Sequence, residues 1–358
     1  MGTRSAVAFG KGTISGVVPS RDEQPRYLPS WREVGLSWAR RMLAPFHLRI
    51  LVAASLLATA AVVAACGQAT SGRALTVGSL KALHRSRTSH VAIIVMENEE
   101  ASGVIRNSAA PYINSLARRY GLATASYAIT HPSLPNYLAL TSGSTQGFTS
   151  DCTTCQVSAS NLVDQLEAAH VSWRAYLEDY PGQCFAGAGA GEYAKKHAPF
   201  LYYDDVVRSP SRCRNVVGFG ALAFDLRHGQ LPRFIWITPN LCDDMHDCSV
   251  ATGDRFLART VPPLLRELGP HGFLILTWDE GNASSTAGCC SGAAAGGNIA
   301  TVVAGPGARR GARTAKPVDH YGVLATIEEA LALPRLGAAA NGANGNLQPL
   351  LSTPLPLP

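Results

Sequence analysis

Val91-Ala92-Ile93-Ile94-Val95-Met96-Glu97-Asn98 is six apolar residues in a row, then an acid and an amide. An unalternating run of that length marks a strand buried on both faces, as strands of a parallel sheet are. The polar pair after it falls where open parallel sheets hold their ligands, outside the carboxyl ends of the strands. Outward from this stretch the same pattern repeats. Further strands are predicted over Ala123–Ala128, Ser172–Leu177, Arg233–Pro239, Gly272–Trp278 and Ile299–Ala304. Helices are predicted over Pro111–Tyr120, Asn161–Ala169, Gly253–Leu268 and Asp319–Leu333. Strands alternating with helices predict an α/β fold, a three-layer sandwich with a mostly parallel central sheet.

Four polar clusters fall at the predicted strand ends: Glu97-Asn98, Asp243-Asp244-Met245-His246, Asp279-Glu280, and His320 opening the last helix. One carboxylate after a strand is ordinarily just solvated. Four clusters at equivalent ends of one sheet converge. The set is rich in oxygen and carries two histidines, which suits a hard or borderline divalent metal. A fifth cluster is His131-Pro132-Ser133-Leu134-Pro135-Asn136-Tyr137, with Ser133 at a loop-to-helix junction. Serine there serves as a helix N-cap or as a reactive hydroxyl. The positive helix end stabilises a phosphate and lowers the cost of forming an alkoxide.

These motifs carry a resemblance. V-M-E-N at 95–98, H-P-S-L-P-N-Y at 131–137, N-L-C-D-D-M-H-D at 240–247 and W-D-E-G at 278–281 resemble the bacterial phosphoesterase family of acid phosphatases and phospholipases C. That family lies within the alkaline-phosphatase-like superfamily, and the resemblance runs from His90 to about Gly337. It implies an alkaline-phosphatase-like fold and a metal-dependent phosphomonoesterase acting through a phosphoserine. Ser133 would be the nucleophile. Glu97, Asn98, Asp279 and Glu280 would hold a divalent metal beside it. Asn136 would touch the phosphate. His131, read from the residues alone, orients Ser133, lines the pocket or serves only the turn. Asp244, His246 and His320 match positions that bind a second ion in two-metal relatives. W-D-E-G departs from the Asp-His pair of those relatives. His246 and His320 are therefore equally placed to bind phosphate or to protonate the leaving group, so the site holds one ion or two.

The substrate implied is a phosphate monoester or a phospholipid such as a phosphoinositide. A phospholipase C or phosphodiesterase is the rival enzyme, and a non-catalytic ligand-binding lipoprotein is the rival of another class. A sulfatase is disfavoured, because Pro135 is followed by Asn136 and not by x-Arg.

Of the net charge of +6, all but one unit sits in residues 1–65. Residues 1–65 hold 8 Lys/Arg and 3 Asp/Glu; the rest holds 23 and 22. With no basic run interleaved with aromatics, no nucleic-acid partner is expected. Ile50–Ala65 is a 16-residue apolar run preceded by Arg40, Arg41, His47 and Arg49. That is the order of a signal peptide, and the run is short for a spanning helix. Val63-Ala64-Ala65-Cys66 resembles a bacterial lipobox, in which Cys66 carries the lipid; a plain signal or an anchor helix is the alternative.

The chain is thus read as an extension over 1–41, disordered or preceding a true start at Met42, and a signal peptide with lipobox over 42–66. A linker over 67–89, a catalytic domain over 90–337 and a disordered tail over 338–358 follow. The expected location is extracytoplasmic, as a membrane lipoprotein or a secreted protein. Eight cysteines remain after Cys66, an even set suited to disulfides in an exported chain, with Cys152–Cys155 and Cys242–Cys248 the expected short pairs. Lys195, Lys196 and His197 either face a substrate phosphate or form a solvated surface, and the solvated surface is the preferred reading.

Overall fold

The computed structural model describes residues 88–290 and 294–357. The extension, the leader, Cys66 and the linker up to residue 87 lie outside the described residues.

The nine strands of the main sheet are β1 Val91–Met96, β2 Gly121–Tyr127, β3 Trp173–Leu177, β4 Val216–Gly218, β5 Phe234–Thr238, β6 Phe273–Trp278, β7 Asn298–Ala304, β8 Arg313–Thr314 and β9 Val318–Asp319. Their order is β8–β2–β7–β6–β1–β5–β3–β4, with β9 also pairing β2. All neighbours are parallel except β7, which runs against both β2 and β6. The reversal follows from the connection. Parallel neighbours need a crossover, usually a helix, and among the described residues between Trp278 and Asn298 there is none. β1 sits between β5 and β6, and every residue of these three strands is buried. That is why they read as unbroken apolar runs.

The longer helices are α1 Pro111–Arg119, α2 Ser133–Ser142, α3 Leu162–Ala168, α4 Phe219–His228, α5 Val250–Glu267 and α6 His320–Ala330. α3 is held by a capping box in which Asn161 and Asp164 satisfy each other's backbone amides. α2 is buried at all ten positions, as a helix inside a core must be. It stops at Gly143, whose φ of 68° is left-handed; a Cβ there would collide with the Leu336 carbonyl.

Residues 338–358 were expected to be a disordered tail, and the structure corrects this. They form a strap of 3₁₀ turns that buries Leu347, Leu350, Leu351 and Leu357. Backbone bonds tie it down: Arg309 N to Leu350 O at 2.8 Å, Ser352 N to Gly307 O at 2.9 Å and Leu357 N to Ala330 O at 3.0 Å. The Ala, Gly, Asn and Pro content hid four anchoring leucines that follow no helical or strand period.

Glu328 of α6 is fully buried beside the strap, and its Oε1 accepts from Leu336 N at 2.7 Å. Burial pushes its carboxyl up from 4.5 to about 7, against the opposing pull of that amide and of Arg335. A carboxyl raised on folding stabilises fully below its unfolded pKa, and the contribution is lost as pH rises through the folded value. Glu328→Gln removes this loss. Between pH 4.5 and 8 the variant should gain about 3 kcal/mol relative to the parent chain. Denaturant unfolding at both pH values checks this, and a pH-independent difference would refute it.

Candidate active site

The carboxyl ends of β1, β5 and β6 and the start of α2 meet at one place. Ser133 is the first residue of α2, and its side chain makes no capping bond. The cap comes from a distance, since Leu134 N donates to Asp151 Oδ1 at 2.9 Å. The Ser133 hydroxyl is thereby free for other partners. It donates to Glu97 Oε2 at 3.1 Å and reaches Glu280 Oε1 at 3.4 Å. One turn along α2, the Tyr137 hydroxyl donates to Glu97 Oε1 at 2.5 Å. Positions i and i+4 share a helix face, so Ser133 and Tyr137 grip the two oxygens of one carboxylate.

Around Glu97 the polar groups crowd together. Asp279 Oδ1 accepts from Asn98 N at 3.2 Å. Asn98 takes a left-handed φ of 58°, a conformation asparagine tolerates. His197 lies between two acids, with Nε2 3.2 Å from Glu97 Oε1 and Nδ1 3.2 Å from Asp244 Oδ2. Its ring stacks on Tyr137 at 5.5 Å. Glu97, Asp244 and Asp279 are fully buried, and Glu280 nearly so. Burial, then the mutual repulsion of the acids, drives Glu97 well above the usual carboxylate range. Burial likewise raises Asp244, Asp279 and Glu280 to about 8. Burial pushes His197 well down, to the neutral ring.

Four buried acids without a matching cation are electrostatically unstable as carboxylates. Asp244 Oδ2, Asp279 Oδ2 and His197 Nε2 are also buried without a hydrogen-bond partner. His197 Nε2 is near Glu97 but misaligned for such a bond. Ligand atoms of Glu97, His197 and His246 lie within 4.8 Å of one another. An oxygen-rich set with neutral imidazole nitrogen and unused lone pairs fits a divalent cation.

The remaining expected residues separate. His246 is on the more open side: Nδ1 is 2.6 Å from Asp247 Oδ1 and Nε2 is 3.1 Å from Lys196 Nζ. An ammonium only donates, so Nε2 accepts and Nδ1–H faces Asp247. His131 Nδ1 is 2.7 Å from Glu280 Oε2, and its Nε2 is 2.8 Å from the Ser285 carbonyl. It lines the site and holds Glu280.

Two expectations are corrected. Asn136 was expected to touch phosphate. It is fully buried, and Oδ1 accepts from Ile129 N and Thr130 N while Nδ2 donates to the carbonyls of Thr130 and Pro132. Its whole hydrogen-bonding capacity shapes the turn ahead of Ser133. His320 was expected to bind phosphate, protonate a leaving group or hold a second ion. It lies fully buried behind Asp279, with Nε2 2.5 Å from that residue's carbonyl oxygen. Burial lowers it to about 4, so it is a neutral donor that positions the Asp279 backbone.

Sequence reading missed Asp151 and named His197 only within the less preferred alternative that 195–197 face a substrate phosphate. The solvated-surface reading of 195–197 is also overturned: Lys195 and His197 are buried and Lys196 is half-buried. Lys195 Nζ donates to Thr153 O at 2.7 Å and lies over the Tyr202 ring. A His two residues after a buried Lys, in a stretch with no surface-helix pattern, was the available signal.

Two cysteine pairs staple loops that carry site residues. Cys152–Cys155 closes the turn after Asp151, and Cys242–Cys248 encloses Asp243 to Asp247. Cys184–Cys213 and Cys289–Cys290 complete the set.

The comparisons with known proteins agree with this geometry. The sequence model of the Phosphoesterase family matches residues 94–334. The phosphatidylinositol-3-phosphatase of Mycobacterium tuberculosis is 35% identical over 256 residues, which cover 70% of this chain and 80% of that protein. The phosphate-repressible acid phosphatase of Penicillium chrysogenum is 30% identical over 65% of this chain and 57% of its own length. The acid phosphatase of Aspergillus fumigatus is 30% identical over 64% of this chain and 52% of its own. The chain thus spans a little over half the length of these two fungal relatives. Among solved structures, the lipoteichoic acid synthase LtaP from Listeria monocytogenes aligns with a TM-score of 0.49 at 9% identity, over 73% of this chain and 77% of that one. On the family match and the mycobacterial relative together, the chain belongs to the Phosphoesterase family and is a phosphoric ester hydrolase.

Proposed function

We propose that the chain is a phosphomonoesterase of the acid phosphatase kind, working through a phosphoserine at Ser133. The carrying observation is the Ser133 hydroxyl at the head of a buried helix, donating to two buried acids. Glu97, Asp279, Glu280, Asp244 and His197 would hold a divalent cation, and Asn98 would join them as a ligand. When bound, that cation supplies Lewis acidity and charge neutralisation for the phosphoryl group.

The chain's own residues do the rest. Ser133 Oγ bonds to phosphorus as the ester P–O bond breaks, and its proton passes to Glu97 or Glu280. The departing alkoxide takes up that one proton. Attack by water then frees phosphate and restores the serine. Tyr137 and His197 hold Glu97 in place, and the α2 N-terminus favours the anion.

The mycobacterial relative's name supports a phosphoinositide as one such monoester. Export with a lipid anchor at Cys66 belongs to the same reading, and the four cysteine pairs support an oxidising compartment.

The test is para-nitrophenol release from para-nitrophenyl phosphate by the purified chain with divalent cation, across a pH series, beside the same release from bis-para-nitrophenyl phosphate and diacylglycerol release from phosphatidylcholine. Monoester turnover at least about tenfold above the diesters is expected, a gap of one or two charge-assisted contacts. Turnover of diesters alone would move the assignment to a phosphodiesterase or phospholipase C.

A further inference from the structure

Three consecutive side chains, Lys195, Lys196 and His197, leave one 3₁₀ turn in three directions. Lys195 is buried against Thr153 and Tyr202, which fixes the turn. His197 enters the acid cluster. Lys196 bridges the nucleophile turn and the His246 loop. Its Nζ lies 3.2 Å from Asp151 Oδ2 and 3.1 Å from His246 Nε2. Asp151 in turn binds Leu134 N, the amide next to Ser133. An ammonium has three donors, and two are directed at Asp151 and His246. The third is uncommitted, and the side chain is 20% exposed.

The two ester classes differ in what they ask of such a group. A monoester presents three non-bridging oxygens and up to two negative charges. A diester presents two and one. A site walled by four acids repels the dianion more, and admits it only against added positive charge. Lys196 is close enough for its charge to bear on Glu97, Asp244 and Glu280 alike.

We propose that Lys196 binds the additional non-bridging oxygen of a phosphate monoester, and thereby sets the preference for monoesters over diesters. The proposal rests on the ester-hydrolase reading above. The competing role is structural, with Lys196 serving only to hold Asp151 as the cap of α2.

Lys196→Met, Lys196→Arg and Asp151→Asn separate the two. With divalent cation present, kcat/KM is measured for para-nitrophenyl phosphate and its bis ester. Inorganic phosphate affinity is measured by titration calorimetry. Lys196→Met should lower monoester kcat/KM by about 10- to 100-fold, with the diester changed by less than about threefold. Phosphate affinity should weaken about tenfold or more, and Lys196→Arg should recover most of it. Asp151→Asn keeps an acceptor for Leu134 N and frees the ammonium, so phosphate affinity should hold. Equal falls for both esters in Lys196→Met, or an Asp151→Asn defect matching it, would overturn the proposal in favour of the structural role. If the parent chain hydrolyses neither ester, the hydrolase reading fails. Phosphate affinity then decides Lys196 alone: tenfold weaker binding in Lys196→Met supports it, and unchanged binding overturns it.

Discussion

Replacing Ser133 by alanine is expected to lower kcat/KM for para-nitrophenyl phosphate by about a thousandfold or more. The substitution deletes one oxygen at the first position of a helix whose other nine residues keep their packing. It removes no cap, because Asp151 supplies that from outside. The fold should therefore survive, with an unchanged circular dichroism spectrum and a thermal midpoint within a few degrees. Equilibrium binding of phosphate in the presence of divalent cation should also persist, since the residues that would hold the cation and Lys196 remain. Loss of turnover with retained binding is the signature of a nucleophile. Turnover near the parent value in Ser133→Ala would show that another group attacks phosphorus.

The second large effect is removal of the divalent cation. Dialysis against a chelator should abolish turnover, and adding a divalent cation back should restore it. The same addition should raise the thermal midpoint. At a hundredfold excess over its dissociation constant, a ligand bound only by the folded state adds about 2.7 kcal/mol. For a domain of this size that is roughly 5 °C. Glu97→Gln should blunt both responses, because Glu97 meets Ser133, Tyr137 and His197 at once. Full activity after exhaustive chelation, with no change in midpoint on readdition, would refute the cation reading of the acid cluster.

Much of this was legible in the sequence because burial leaves a plain signature. β1, β5 and β6 are covered on both faces, so their apolar runs could be placed nearly to the residue. The acids at their carboxyl ends followed from topology. What escaped has physical reasons. β4 is three residues long, too short for any period, and α4 carries two phenylalanines and a glycine with no clear polar face. β7 has an ordinary strand sequence; its reversed direction is a property of pairing. Asn136 and His320 are the right residue types in the right motifs. Their hydrogen bonds, which only coordinates reveal, turn them from substrate toward backbone. Asp151 reaches the site from a loop and His197 from a three-residue 3₁₀ turn, segments too short to show a period.

The strap that closes the chain has a further meaning for anyone who handles the protein. It grips the far end of the helix that begins with Ser133: Ala338 N donates to the Gly143 carbonyl at 2.8 Å, and the Leu336 carbonyl fills the space a Cβ would take there. A ten-residue helix is a stiff rod about 15 Å long. The 336–338 stretch and the reacting oxygen are thus at the two ends of one lever. Labels, cross-links or cleavage sites placed at residues 336–338 pull on that lever.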